Sequence, residues 1–393
     1  MRLISTHYIF EWSLHLNFMR KIYCLLFVLL IYGRSNAGDS LYVRWMTDTL
    51  SSKIFMGRGY VNNGMQKAAR FITEEMKKTG LAVSRQGFHY PVNSFPGKMS
   101  LSINGKLLRP GIDYIIGAQS RSCSAGGALV QSDSITYINP PHRVVIKMMD
   151  KLTWTVGAEQ EDYTIFYVLK NSVVQPGRFD CKVEAELQKD VEAENIIGGI
   201  KGTAKPDSFI VFTAHYDHLG AMGQETFFPG ANDNAGGVAF MLSLARYYQA
   251  HPPPYSIVFI AFAGEEAGLV GSAYFVKNPL IDLNSVRFLL NLDLVGNGEE
   301  GITVVNATEF PKEFELLQQI NNEKHLLATI NSRGKAHNSD HYWFTEKGVP
   351  TFFIYTLGKR KAYHDVEDIP STVPWWEVND LQQLLILFTD AIM

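Results

Sequence analysis

"SFIVFTAHYDHLG", residues 208–220, begins as an unbroken apolar run and turns abruptly polar at His215, Tyr216, Asp217 and His218. An apolar run without in-and-out alternation suits a strand covered on both faces, as in a parallel sheet sandwiched between helices. Similar runs recur at "SIVFIAFA" (256–263), "RFLLNLDL" (287–294) and "TFFIYT" (351–356). Between them lie helical patterns over about 235–250, 267–276 and 312–323, and "DLQQLLILFTDAI" (380–392) closes the chain as a helix. The alternation predicts an α/β fold in a single domain, with a central mixed, mostly parallel β-sheet and helices on both faces.

Upstream, "MQKAARFITEEMKKTGL" (65–81) sets Ala68, Ala69, Ile72 and Met76 at helical spacing with Gly80 as a stop. From about 88 to 190 the texture changes to short alternating stretches such as "MSLSING" (99–105) and "DYTIFYVLK" (162–170), broken by Gly and Pro. These predict strands and hairpins, hence a β-rich insertion or flap. "HPPP" at 251–254 reads as a turn into the next strand rather than a linker.

The 393 residues, 46% hydrophobic and 19% charged, have the balance of an ordinary globular chain. A net charge of -3 and a pI near 6.4 offer no basic surface for nucleic acid or an anionic membrane. The N-terminus is more specific. "MRKIYCLLFVLLIYGRSNA" (19–37) has two positive charges, an apolar run from Ile22 to Tyr32, and Ser35 and Ala37 at the small-residue positions of a cleavage site. We read residues 1–37 as carrying a signal peptide, with Met19 the better start. The run falls short of the roughly 18 residues of a spanning helix, so the mature chain, residues 38–393, is expected to be secreted or periplasmic. Cleavage would leave Cys123 and Cys181, which the sequence accommodates equally as a disulfide or as two buried thiols.

In open α/β sheets, ligands gather outside the carboxyl ends of the strands. The polar residues found there are His215 and Asp217 after the first run, Asp233 in "PGANDNAGG" (229–237), Glu265 and Glu266 after the second, and Asp293 after the third. His364 follows in "AYHDVEDIPS" (362–371). Taken singly, each has an ordinary reading: Asp233 as a helix cap, the two glutamates as an acidic first helical turn, His364 as a surface histidine. Together they make two imidazoles and five carboxylates at successive strand ends. That set suits zinc, or less selectively another divalent ion, and the surplus of carboxylates suits two ions sharing one of them.

"AHYDHLG", "GANDNAGG", "AFAGEEAGLVGS", "NLDLVG" and "YHDVEDIPS" resemble, in order and spacing, the motifs of the two-zinc exopeptidases that include bacterial leucyl-type aminopeptidases. Glutamate carboxypeptidase and glutaminyl cyclases are relatives. "ENIIGGIKG" (194–202) and "SDHYWFTEKGVP" (339–350) also resemble family segments, whereas residues 88–190 carry no family signal. The resemblance implies a zinc-exopeptidase, phosphorylase/hydrolase-like fold and two zinc ions per chain. It places His215, Asp233 and Asp293 on one ion and Asp233, Glu266 and His364 on the other. It further implies Glu265 as the general base toward a metal-activated bridging water, peptide substrates, and a cis bond between Asp233 and Asn234.

Within a strand, residues i and i+2 share a face, so Asp217 is expected beside His215, accepting its second ring N–H. The family pattern implies the same. Tyr216 and His218 then point away, as packing or loop residues. "HDVED" (364–368) departs from the Thr-Pro or similar pair of many relatives, which affects the substrate rim rather than the ligand. A metallo-aminopeptidase is therefore expected. The competing functions are a single-zinc glutaminyl cyclase, a carboxypeptidase, and a non-catalytic peptide-binding relative; the last usually lacks ligands or the base, and this chain lacks neither.

Overall fold

The computed structural model describes residues 40–393; the expected signal peptide lies outside the described residues. Residues 43–393 form one compact unit, and residues 40–42 belong to the unit before it. An eight-stranded sheet organises that unit: β1 (Ala82–Ser94), β2 (Glu186–Ile200), β3 (Lys205–His215), β4 (Tyr255–Phe262), β5 (Val286–Leu292), β6 (Gly301–Val305), β7 (Ile330–Arg333) and β8 (Thr351–Leu357). In space the order is β1-β2-β4-β3-β5-β8-β6-β7. The central strands β4, β3, β5 and β8 are parallel. β1, β2 and β4 pair antiparallel on one side; on the other, β6 runs antiparallel to β8 with β7 parallel to β6.

The apolar runs are continuous because both faces of the central strands are covered. Val211 of β3 packs in one cluster with Phe275 and Phe344, from α3 (Val270–Lys277) and α5 (His341–Glu346). Its neighbour Phe212 turns to the other face, 6.2 Å from Tyr248 of α2 (Gly236–Ala250). Two further helices, α4 (Pro311–Lys324) and α6 (Val378–Ile392), lie on that second face, where Phe388 meets Phe288. Ahead of the sheet, α1 (Gly64–Lys78) packs against β1 and β2 through Ala68, Ala69, Ile72 and Met76, the residues at helical spacing. His215 ends β3 on the face of Val211. The chain leaves β3 for β4 on one side and then crosses to β5 on the other, which makes the carboxyl end of β3 the switch point where a crevice opens.

The insertion is narrower than the expected 88–190. Residues 88–94 and 186–190 belong to the long β1–β2 pair, and the extra strands run from Met99 to Val183. They form two small sheets. One orders Lys106–Leu108, Met99–Ile103, Arg178–Val183 and Cys123–Ala128; the other orders Tyr114–Ile116, Thr164–Leu169, Val144–Met149, Thr136–Asn139 and Val130–Gln131. Their shared core, including Ile116, Ile146, Phe166 and Phe179, continues into Leu219, Met222 and Phe228 of the loop after β3. The insertion is thus packed onto the loop that leaves the crevice. Cys123 and Cys181 are free thiols with Sγ atoms 3.7 Å apart on neighbouring strands, and burial pushes the Cys181 thiol up.

Candidate metal centre

Two turns and two loops bring acids and imidazoles to the end of β3. Asp233 sits in the 229–235 turn ahead of α2, where the Asp233–Asn234 peptide bond is cis, as the family resemblance implies. Asn234, rather than Asp233, anchors the helix: its side chain accepts the Gly237 N–H and donates to the Leu292 carbonyl. Gly230, with φ +55, passes so close that a Cβ would collide with the Asp233 carbonyl, the His218 ring and the Arg58 guanidinium. Glu265 and Glu266 belong to a tight turn four or more residues ahead of α3, so they are not the acidic first turn of that helix. Asp293 follows β5 directly, and His364 arrives on the late loop with φ +52, a left-handed backbone that costs a non-glycine residue about 1–2 kcal/mol.

These side chains converge. His215 Nε2 lies 3.4 Å from Asp233 Oδ1 and 3.5 Å from Asp293 Oδ1. His364 Nε2 lies 3.2 Å from both Asp233 Oδ2 and Glu266 Oε2. Asp233 therefore faces both groups, one oxygen to each. Ligands held about 2.0–2.1 Å from a tetrahedral zinc ion stand roughly 3.4 Å apart, which is the spacing of these atoms. Asp293 Oδ1 is buried without a hydrogen-bond partner, an expensive state for a carboxylate unless a cation meets it. The residues present fit a pair of divalent ions. Glu265 also brings a carboxylate within 4.8 Å of the His215 and Asp293 ligand atoms.

Electrostatics within the cluster follow from burial and charge. Burial alone would depress the His215 imidazole, but Glu265, Asp293 and Asp233 outweigh it and hold it well above its ordinary value. The same contest lifts His364 to about 11, through Glu266 and Asp233. Burial, reinforced by Glu266, Asp340 and Asp293, raises the Glu265 carboxyl well above the carboxylate range despite the opposing His215. Glu266 goes the other way, because His364 and His218 overcome its burial.

The expected Asp217 contact is replaced. His215 Nδ1 donates to the Asp217 backbone carbonyl at 3.2 Å, and the carboxylate stands off at 3.8 Å. That carboxylate accepts the backbone N–H groups of Glu265 (3.1 Å) and Glu266 (3.3 Å), fixing the turn that carries both glutamates. Burial pushes its carboxyl up to about 7, with His215 opposing. His218, expected to be a packing or loop residue, is a member of the cluster: Nδ1 donates to Glu266 Oε1 at 2.7 Å and lies 3.8 Å from Asp233 Oδ1. Tyr216 is a packing residue as expected, buried with its hydroxyl on the Glu194 carbonyl.

Supporting residues outside the predicted set complete the frame. Asp368, in the departing "HDVED", accepts the backbone N–H groups of Asn232 and Asp233 at 2.8 and 3.0 Å and pairs with Arg360 at 2.7 Å. Arg58 is fully buried beneath, donating to the carbonyls of Leu50, Tyr216, Pro229, Gly230 and Asp233. Burial lowers its guanidinium to about 10 against the opposing Asp233 and Asp368. The insertion contributes directly: His364 Nδ1 donates to the Trp154 carbonyl at 3.0 Å, and the Trp154 N–H returns to the His364 carbonyl at 2.9 Å. No sequence signal joined Trp154 or Arg58 to the strand-end residues, because both come from outside the α/β alternation.

The cluster forms one end of a cavity of about 350 Å³ whose remaining walls are Leu294, Arg333, Asn338, Phe353, Tyr355 and Tyr363. Among the described residues, no helix is long and apolar enough to cross a membrane.

Residues 195–389 match the model of peptidase family M28. The chain is 33% identical over 186 residues to aminopeptidase YwaD of Bacillus subtilis, covering 45% of this chain and 39% of that protein. It is 38% identical over 144 residues to a probable zinc metalloprotease of Pyricularia oryzae, covering 36% and 28%. The chain thus spans less than half the length of these curated relatives. In fold it is similar to a zinc aminopeptidase from Bacillus subtilis (TM-score 0.69, 21% identity, 89% of this chain and 95% of that one). An aminopeptidase from Aneurinibacillus sp. strain AM-1 is also similar (TM-score 0.65, 19% identity, 89% and 93%).

Proposed function

We propose that the protein, whose residues 195–389 match the model of peptidase family M28, is a zinc-dependent aminopeptidase that removes N-terminal residues from peptides in a secreted or periplasmic setting. The observation that carries this reading is the double-facing Asp233, with one oxygen toward His215 and the other toward His364. His215 and Asp293 would hold one zinc ion, Glu266 and His364 a second, with Asp233 between them. Bound ions supply Lewis acidity toward the scissile carbonyl and toward water.

The chain's own residues do the rest. Glu265, outside the ligand set, takes a proton from the attacking water and delivers it to the amine nitrogen as the C–N bond breaks. Burial raises the Glu265 carboxyl above the ordinary carboxylate range, which makes its carboxylate a stronger proton acceptor. Asp217 holds the backbone of Glu265 and Glu266 and so sets where both carboxylates point. Leu294, Phe353 and Tyr355 line the cavity beside the cluster, where the substrate would lie. The apolar N-terminal segment supports export, and the near-neutral charge supports neither nucleic-acid nor membrane partners.

The test is Glu265→Gln assayed with aminoacyl anilides. Turnover is expected to fall by about 10²–10⁴-fold, the usual worth of a general acid–base group, with zinc content unchanged. Wild-type turnover in the variant would contradict the assignment.

A further inference from the structure

Outside the metal cluster, the cavity lining includes three polar side chains, Arg333, Asn338 and Tyr355. Arg333 ends β7, and its Nη1 stands 3.4 Å from the Tyr355 hydroxyl. Among the described residues no carboxylate lies within 4.0 Å of its guanidinium, whereas Lys335, two residues on, is paired with Glu346. Asn338 is exposed beside it in the same wall. This end of the pocket therefore offers a fork of guanidinium donors, an amide and a phenol, with no acid to consume them. An apolar substrate group seated here would strip water from Arg333 and give nothing back, while a carboxylate could take two parallel hydrogen bonds from the fork.

We propose that Arg333, with Tyr355 and Asn338, is a subsite for a substrate carboxylate and biases the enzyme toward substrates that bring one to this wall. The inference rests on the peptidase reading above. The carboxylate has two sources: the side chain of an N-terminal aspartate or glutamate, or the C-terminal carboxylate of a dipeptide. Both fit a cavity of about 350 Å³. Leu294, Phe353 and Tyr363 supply apolar walls for the carbon atoms between the amine at the metal cluster and the acid at Arg333.

The experiment compares zinc-loaded wild type with Arg333→Leu and Arg333→Lys. One arm measures glutamyl- and aspartyl- against leucyl-p-nitroanilide; the other measures Leu-Gly against Leu-Gly amide. In at least one arm, the preference for the carboxylate-bearing substrate, as a ratio of kcat/KM, is expected to fall roughly 10–100-fold in Arg333→Leu, mainly through KM, and to be partly kept by Arg333→Lys. The arm that responds identifies the source. A ratio that stays within threefold in both arms, or an equal loss on every substrate, overturns the proposal while leaving the peptidase reading intact. If wild type cleaves none of the substrates, the peptidase reading fails and the subsite fails with it.

Discussion

At the scale of single residues, the loop after β3 divides labour between two histidines. His215 presents Nε2 to Asp233 and Asp293, and His218 holds Glu266 Oε1 from a fully buried position. A buried donor of this kind fixes which way a ligand carboxylate points. His218→Ala should therefore lower metal affinity by about 10–100-fold, read as the chelator concentration that strips half of the bound zinc; unaltered resistance to chelation would remove His218 from the frame. The sequence made His215 legible and His218 opaque for one reason. Alternation of faces holds only inside a strand, and β3 ends at His215. Beyond it the chain turns, so Asp217 does not lie flat beside the ring and His218 does not point away. The carboxylates were easier to find, because each stands directly after an apolar run or in a glycine-rich turn.

At the scale of elements, the insertion is a structural partner of the metal centre rather than a detached flap. Trp154 stacks on Phe228 with ring centroids 4.6 Å apart and donates its indole N–H to the Ile116 carbonyl, while its backbone carbonyl accepts the His364 ring Nδ1–H and its backbone N–H bonds the His364 carbonyl. Truncating it should loosen both sides of that joint. Trp154→Ala is expected to cost about 3–5 kcal/mol in urea unfolding and to weaken zinc binding as well; lost stability with undiminished zinc affinity would separate the insertion from the site. The central strands were legible because they are buried on both faces. β6 and β7 were not: β6 is a five-residue run, and β7, "INSR", pairs on one side only and has a single apolar residue. Within the insertion, Asp113 accepts the Arg109 guanidinium and backbone N–H and the Ser172 hydroxyl, which hold its carboxyl at about 2 against an ordinary 3.8. A depressed carboxyl contributes stability that is present above pH 3.8 and lost as pH falls through about 2. The melting-temperature gap between wild type and Asp113→Asn should be widest near neutrality and narrow as pH falls from about 4 through about 2; a gap undiminished at pH 2 would contradict this.

At the scale of the whole molecule, the sheet's switch point, the turns before α2 and α3, the loop after β5 and the late His364 loop deliver their side chains to one crevice, and the insertion braces it. Much of this was legible from the order of apolar runs and the residues that end them. What was not legible, Arg58 beneath Asp233 and Trp154 behind His364, depends on contacts between segments more than 100 residues apart. The central claim is that Asp233 joins two ion sites rather than serving one. Zinc content per chain, measured by atomic absorption after equilibrium dialysis of the purified protein, tests it most directly: two equivalents are predicted for wild type, and a single equivalent at saturation would contradict it.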